Sequence, residues 1–129
     1  MKRILILPFV AMSLFSLQAS AVCLNIKNTY SGTIAANSEI VAYGPFQITS
    51  ASGCSSANIS STAAALGTGS APALYIDKQS GSGWVQVAQS TLTGKASYLE
   101  FGGFGTYRIR HVNTTSAVRA YSGTTAYSR

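Results

Sequence analysis

Apolar and polar residues alternate with a period of two through most of this sequence, and no stretch carries an apolar stripe at helical spacing. A chain patterned in that way buries one face of each strand against another layer, so it folds as packed antiparallel sheets rather than as a helical bundle. Eight short segments carry strand character: residues 22–27, 39–43, 46–50, 73–79, 84–89, 97–101, 107–112 and 117–121. Turn residues separate them at Ser31-Gly32, Gly44-Pro45, Ser80-Gly81-Ser82-Gly83, Gly102-Gly103-Phe104-Gly105 and Asn113-Thr114-Thr115. The expected fold is all-β: a single antiparallel β-sandwich, Ig-like or jelly-roll-like, with about seven or eight strands. Residues 55–72 are ambiguous. Ser60 to Leu66 reads as one or two helical turns, while Gly67, Gly69 and Pro72 read as a loop. No internal repeat or second domain is visible.

Because a one-residue slip sends every side chain to the opposite face, hairpin pairing can be argued from pattern. A loop centred on Thr114-Thr115 sets Ile109 opposite Ala120, His111 opposite Val118 and Arg110 opposite Arg119. An odd loop around Phe104 sets Phe101 opposite Tyr107, Leu99 opposite Ile109, Glu100 opposite Arg108 and Tyr98 opposite Arg110. Pairing 73–79 with 84–89 gives a core face of Leu74, Ile76, Val85 and Val87, and an outer face of Tyr75, Asp77, Gln79, Trp84 and Gln86.

Residues 1–21 have the pattern of a secretory signal peptide: Lys2 and Arg3, an apolar stretch from Ile4 to Leu17, and the small-residue site Ala19-Ser20-Ala21. The apolar run holds about 14 residues and contains Pro8, short of the roughly 20 needed to span a bilayer. The exported domain is then residues 22–129, in the periplasm or at the cell surface, with no integral membrane segment. Export places Cys23 and Cys54 in an oxidising compartment, where two cysteines in a small domain pair. The bond should staple the first strand to the segment after residues 47–50, and closing a loop of about 30 residues is worth roughly 3–4 kcal/mol.

Catalytic chemistry has little to draw on. Beyond residue 21 the carboxylates are Glu39, Asp77 and Glu100, the one imidazole is His111, and the cysteines are committed. His111 falls on the predicted core face, where a buried, hydrogen-bonded role is expected rather than a nucleophile–base set. No GxSxG, HExxH, phosphate-binding loop or dinucleotide fingerprint is present. The expectation is therefore no enzyme, no metal and no cofactor. The sequons Asn58-Ile59-Ser60 and Asn113-Thr114-Thr115 read as chance matches in a bacterial exported chain, the second as turn chemistry.

Two surfaces stand out as binding candidates. Loss of Lys2 and Arg3 lowers the net charge from +6 to +4, and with the lysines offsetting the acids the excess falls on Arg108, Arg110, Arg119 and Arg129, all in the last 22 residues. With Tyr98 and Tyr121 stacked on them, Arg108, Arg110 and Arg119 form a candidate anion or partner face. Nucleic acid requires more charge than this. The second surface is Trp84 and Tyr75 beside Asp77, Gln79 and Gln86, a ring platform edged by hydrogen-bonding groups that suits a sugar. Seven tyrosines, several assigned to outer faces, also favour contact with another molecule.

Ser, Thr, Ala and Gly supply 55 of the 108 residues from Val22 onward, and only 9% of the whole chain is charged. Such surfaces suit dense lateral packing with little desolvation of charge. In composition, export and one N-terminal disulfide the chain resembles bacterial pilin subunits, although residues 122–129 lack the alternating apolar strand of chaperone-assembled pilins. The function expected is an exported, non-catalytic protein acting through protein contacts, a surface or fibre-type structural or adhesive subunit. Its alternatives are a monomeric carbohydrate- or envelope-binding module and a small periplasmic inhibitor that presents residues 102–105 as an exposed tip.

Overall fold

The computed structural model describes residues 22–129, so the signal-peptide reading of 1–21 lies outside the described residues. Eight strands follow one another: β1 (Asn25–Ile34), β2 (Ser38–Ile48), β3 (Ser56–Ala65), β4 (Ala73–Ser80), β5 (Gly83–Ser90), β6 (Lys95–Phe101), β7 (Gly105–Asn113) and β8 (Arg119–Ser128). A single 3-10 turn, Ser50–Ser52, precedes β3. The strands form two four-stranded antiparallel sheets, ordered β1-β8-β3-β6 and β2-β7-β4-β5. That order is the jelly-roll form of the β-sandwich, which settles the choice left open between Ig-like and jelly-roll-like. No helix among the described residues is long and apolar enough to cross a membrane.

Several expectations need correction, each for a definite reason. The segments 39–43 and 46–50 are one strand, β2, which absorbs Gly44-Pro45 through two register shifts against β7. Ser31-Gly32 is no turn; it lies inside β1, where Gly32 lets the Tyr121 ring approach. The ambiguous stretch 55–72 contributes a central strand, β3, followed by a loop. Along β3 Ala57, Ile59, Ser61 and Ala63 are buried while Asn58, Ser60, Thr62 and Ala64 are exposed. The alternation is there, but small residues on both faces hide it from a hydrophobicity pattern. β8 runs on through residues 122–128 for the same reason, with Tyr121, Thr125 and Tyr127 inward between Ser, Thr and Ala.

The hairpins expected around Thr114-Thr115 and around Phe104 are also overturned. β7 pairs with β2 and β4, whereas β6 and β8 each pair with β3 in the opposite sheet. Arg110 therefore lies opposite Val41 and Tyr75 rather than Arg119, and Phe101 lies opposite Ser56 rather than Tyr107. The β4–β5 hairpin does form, with a bulge that pairs Ile76 with Ala88 and Asp77 with Gln86. Leu74 and Ile76 are in the core as expected and Val87 packs against it, but Val85 is 53% exposed because β5 is an edge strand near its turn.

The core joins Ile48, Ile59, Leu74, Ile76 and Ile109 to a run of rings: Tyr43, Phe46, Tyr127, Tyr107 and Tyr98. Phe46 stacks on Tyr127 at 4.3 Å and Tyr30 on Tyr43 at 5.4 Å between centroids. Six of the seven tyrosines point inward; Tyr75 alone stands on an outer face. The assignment of several tyrosines to outer faces is thus wrong. Aromatic bulk fills the space that Ala57, Ala96, Gly32 and Gly123 leave between the sheets, as close packing requires. Cys23 and Cys54 are bonded as predicted, with Cα atoms 4.8 Å apart. The bond lies where β1 and β3, the two neighbours of β8, begin.

Candidate functional site

On the outer face of sheet β2-β7-β4-β5, strand register brings the two predicted surfaces together. Asp77 on β4 lies opposite Arg108 on β7, and Tyr75 opposite Arg110, so each acid or ring faces a guanidinium. Gln79 lies opposite Trp84 across the β4–β5 hairpin. The Asp77 carboxylate, only 2% exposed, accepts from Arg108 Nε and Arg110 Nε, both at 3.0 Å. Arg110 Nη2 adds a bond to the second Asp77 oxygen at 3.3 Å, and Nη1 donates to Glu39 at 2.9 Å. Above this layer Arg108 lies 4.4 Å from the Trp84 ring and Arg110 4.4 Å from the Tyr75 ring. The bond to Asp77 and then that to Glu39 hold the Arg110 guanidinium above its usual pKa, against the desolvation that lowers it.

This array of two arginines, two acids and two rings is internally neutral. Its charges satisfy one another, and each ring has one face covered by a guanidinium. Gln86, whose amide donates to Gln89 at 2.9 Å, and Gln79 edge it with hydrogen-bonding groups. A panel whose charges are paired internally offers a contact surface rather than a pull on an anion.

The remaining residues of the predicted arginine face lie elsewhere. Tyr121 is buried between the sheets with its ring edge-on to His111 at 4.8 Å. Tyr98 packs inward beside Tyr107 and donates to Glu100. Burial and then that carboxylate raise the Tyr98 pKa, and burial takes the Tyr107 hydroxyl to about 12. Arg119 begins β8 in the other sheet, reaching Thr68 O at 3.0 Å. Since Lys78 pairs with Glu100 at 3.6 Å, the cations without a carboxylate among the described residues are Lys27, Lys95, Arg119 and Arg129. The excess charge is spread over the molecule and not gathered on four arginines.

His111 is buried as expected, yet neither ring nitrogen finds a hydrogen-bond partner among the described residues. Desolvation lowers its pKa to about 4. The 102–105 loop is not a free tip: Gly103 is buried, its carbonyl accepts from the Tyr107 hydroxyl, Gly102 N bonds Ser55 O, and Phe104 packs on the core. Asn113 is 2% exposed and its amide nitrogen donates to three carbonyls, of Ile34, Ala35 and Ala117, so this sequon is consumed in holding loops.

Sequence reasoning missed the outer face of the other sheet. Lys27, Ala126, Ser60 and Ser97 align in one row across β1-β8-β3-β6, Thr29, Thr124, Thr62 and Lys95 in the next, and Ser31, Ser122 and Ala64 in a third. These rows carry small hydroxyl and methyl groups, two lysines and no acid. At the β6 edge Leu99 is 63% exposed and Phe101 82%. The signal was available in the Ser/Thr/Ala content, but reading it as one face required the strand order.

No family model matches the chain, and no curated protein matches it. Among solved structures, the crystal structure of a mitogen derived from Yersinia pseudotuberculosis is similar at 15% identity, with a TM-score of 0.58, over 79% of this chain and 86% of that one. At that identity the likeness is one of fold. A subunit of Bacillus endospore appendages, described as a novel family of disulfide-linked pili, matches at 22% identity and a TM-score of 0.44 over 82% of this chain and 88% of the other. That likeness is too distant to bear on function.

Proposed function

We propose that the chain is an exported, non-catalytic bacterial surface protein that works through protein contact, as a fibre-type structural or adhesive subunit. The observation that carries this reading is the Ser/Thr/Ala face of β1-β8-β3-β6, with Leu99 and Phe101 exposed at its rim. Short side chains have little rotamer entropy to lose on contact, and a face whose charges are limited to Lys27 and Lys95 at its outer strands has little charge to desolvate at its centre, so such a surface suits close lateral packing. Exposed apolar residues at an unpaired strand edge favour association in the same direction.

Further support comes from the spent chemistry of the polar groups. All three side-chain carboxylates among the described residues sit in ion pairs, and His111 packs against rings. The disulfide accords with the periplasmic or extracellular location that the N-terminal pattern implies. The carbohydrate alternative on Tyr75 and Trp84 is less favoured, because a guanidinium already covers one face of each ring.

Sedimentation velocity and negative-stain electron microscopy of the disulfide-bonded exported protein test the proposal. Oligomers or filaments are expected, and Thr62→Arg with Thr124→Arg, which set like charges on neighbouring strands of the face, should leave monomers. A wild-type protein that stays monomeric at high concentration, or variants that assemble unchanged, overturn it.

A further inference from the structure

At the end of the sandwich where the β3–β4, β5–β6 and β7–β8 loops meet, Ser70, Tyr75, Thr91, Thr114, Thr115 and Arg119 line a pocket of about 180 Å3. Pro72 and Val112 add an apolar wall. The pocket borders the neutral ion-pair array at Tyr75, whose ring the array covers with Arg110, and lies outside the Ser/Thr/Ala face. What distinguishes it is how its cation is held. Arg119 Nη1 donates to Thr68 O at 3.0 Å and Nε to Thr115 Oγ1 at 3.3 Å, while Nη2 has no partner among the described residues. No carboxylate lines the pocket, and Glu39, Asp77 and Glu100 are all engaged elsewhere.

The rim is set in place before any ligand arrives. Gly69 has φ 119°, a backbone conformation that favours glycine, and the Arg119 guanidinium packs close over it, 2.5 Å from where a Cβ would stand. Beside the guanidinium, Thr115 is itself held: buried Asn113 accepts from Thr115 N at 3.0 Å and Thr115 Oγ1 at 2.7 Å, while its amide clamps the chain on either side. A guanidinium held by two hydrogen bonds with a free donor edge, together with hydroxyls and an apolar patch in the same pocket, suits an oxyanion carried on a ring that has both hydroxyls and a C–H face. We propose that this pocket binds a single carboxylate-bearing sugar residue, with the carboxylate on Arg119, the ring hydroxyls on Ser70, Thr91 and Thr114, and the ring face against Pro72 and Val112.

The inference is independent of whether the protein assembles. It is tested by titrating 15N-labelled protein with glucuronate, glucose and inorganic phosphate and following backbone amides. Glucuronate should give saturable shifts centred on Ser70, Thr91, Thr114 and Thr115. Glucose, lacking the charge, and phosphate, lacking the ring, should each bind at least about tenfold more weakly. Arg119→Gln should cost at least about tenfold in glucuronate affinity while Arg129→Gln leaves it unchanged. Should Arg119→Gln fail to fold, Thr114→Trp fills the pocket from an exposed loop and should abolish the shifts. Equal response to glucose, phosphate matching glucuronate, shifts scattered over the surface, or undiminished binding in Arg119→Gln or Thr114→Trp overturns the proposal.

Discussion

His111 shows how a residue readable in type can be misjudged in environment. Alternation along β7 places it inside, but the expectation that a buried imidazole finds partners fails, because rings of Tyr30 and Tyr121 surround it and both nitrogens stay bare. Burial then disfavours the charged form, and the folded pKa of about 4 lies below the ordinary 6.5. Below pH 6.5 the unfolded chain takes up a proton that the folded chain refuses. The contribution of His111 is therefore constant above pH 6.5 and falls as the pH drops toward 4. The loss amounts to about 2 kcal/mol at pH 5. Urea unfolding at pH 7.5 and pH 5 should show that loss in wild type and not in His111→Leu. The variant should also be at least as stable at pH 7.5, since it removes two unsatisfied polar atoms at nearly constant volume. A parallel pH dependence in both proteins would sink the assignment.

At the scale of strands, the β4–β5 face was legible and its partner was not. The placing of Tyr75, Asp77, Gln79, Trp84 and Gln86 on one surface follows from the sequence because the hairpin is local, closed by a short glycine-containing turn. That β7 lies next to β4 and lays Arg108 and Arg110 over that surface is a long-range pairing that no local pattern encodes. The array makes Asp77 the shared anchor of two guanidinium groups. Asp77→Asn should destabilise the fold by about 2–4 kcal/mol, since it leaves two half-buried cations without their common partner. The release of Arg108 from the single tryptophan, Trp84, should appear as a change in its fluorescence. An unchanged urea midpoint would show that solvent replaces the carboxylate at no cost. Strand β3 teaches the complementary lesson. Its alternation is regular, but alanine and serine stand on both sides of the contrast, so its faces separate only once burial is known.

Across the whole molecule the organising fact is that consecutive strands seldom pair. Only β4 and β5 are neighbours both in sequence and in a sheet; every other connection among the described strands crosses to the opposite sheet. The disulfide offsets part of the entropy of such long-range closure by joining the chain before β1 to the chain before β3, on either side of β8. Replacing both cysteines by serine should lower stability by about 3 kcal/mol, read as a reduced urea midpoint with an unchanged far-ultraviolet spectrum before the transition. Equal midpoints for the two proteins would show that sheet packing alone closes the loop. The sequence by itself determined the fold class, the disulfide pairing and the membership of the one local hairpin, because period-two patterning, cysteine count and turn chemistry act over a few residues or by elimination. Tertiary structure alone decided which sheet each strand joined, that the arginines neutralise rather than display their charge, that the tyrosines fill the core, and that Arg119 stands over a pocket. These depend on contacts between residues far apart in the chain, whose alternatives differ in packing and not in pattern.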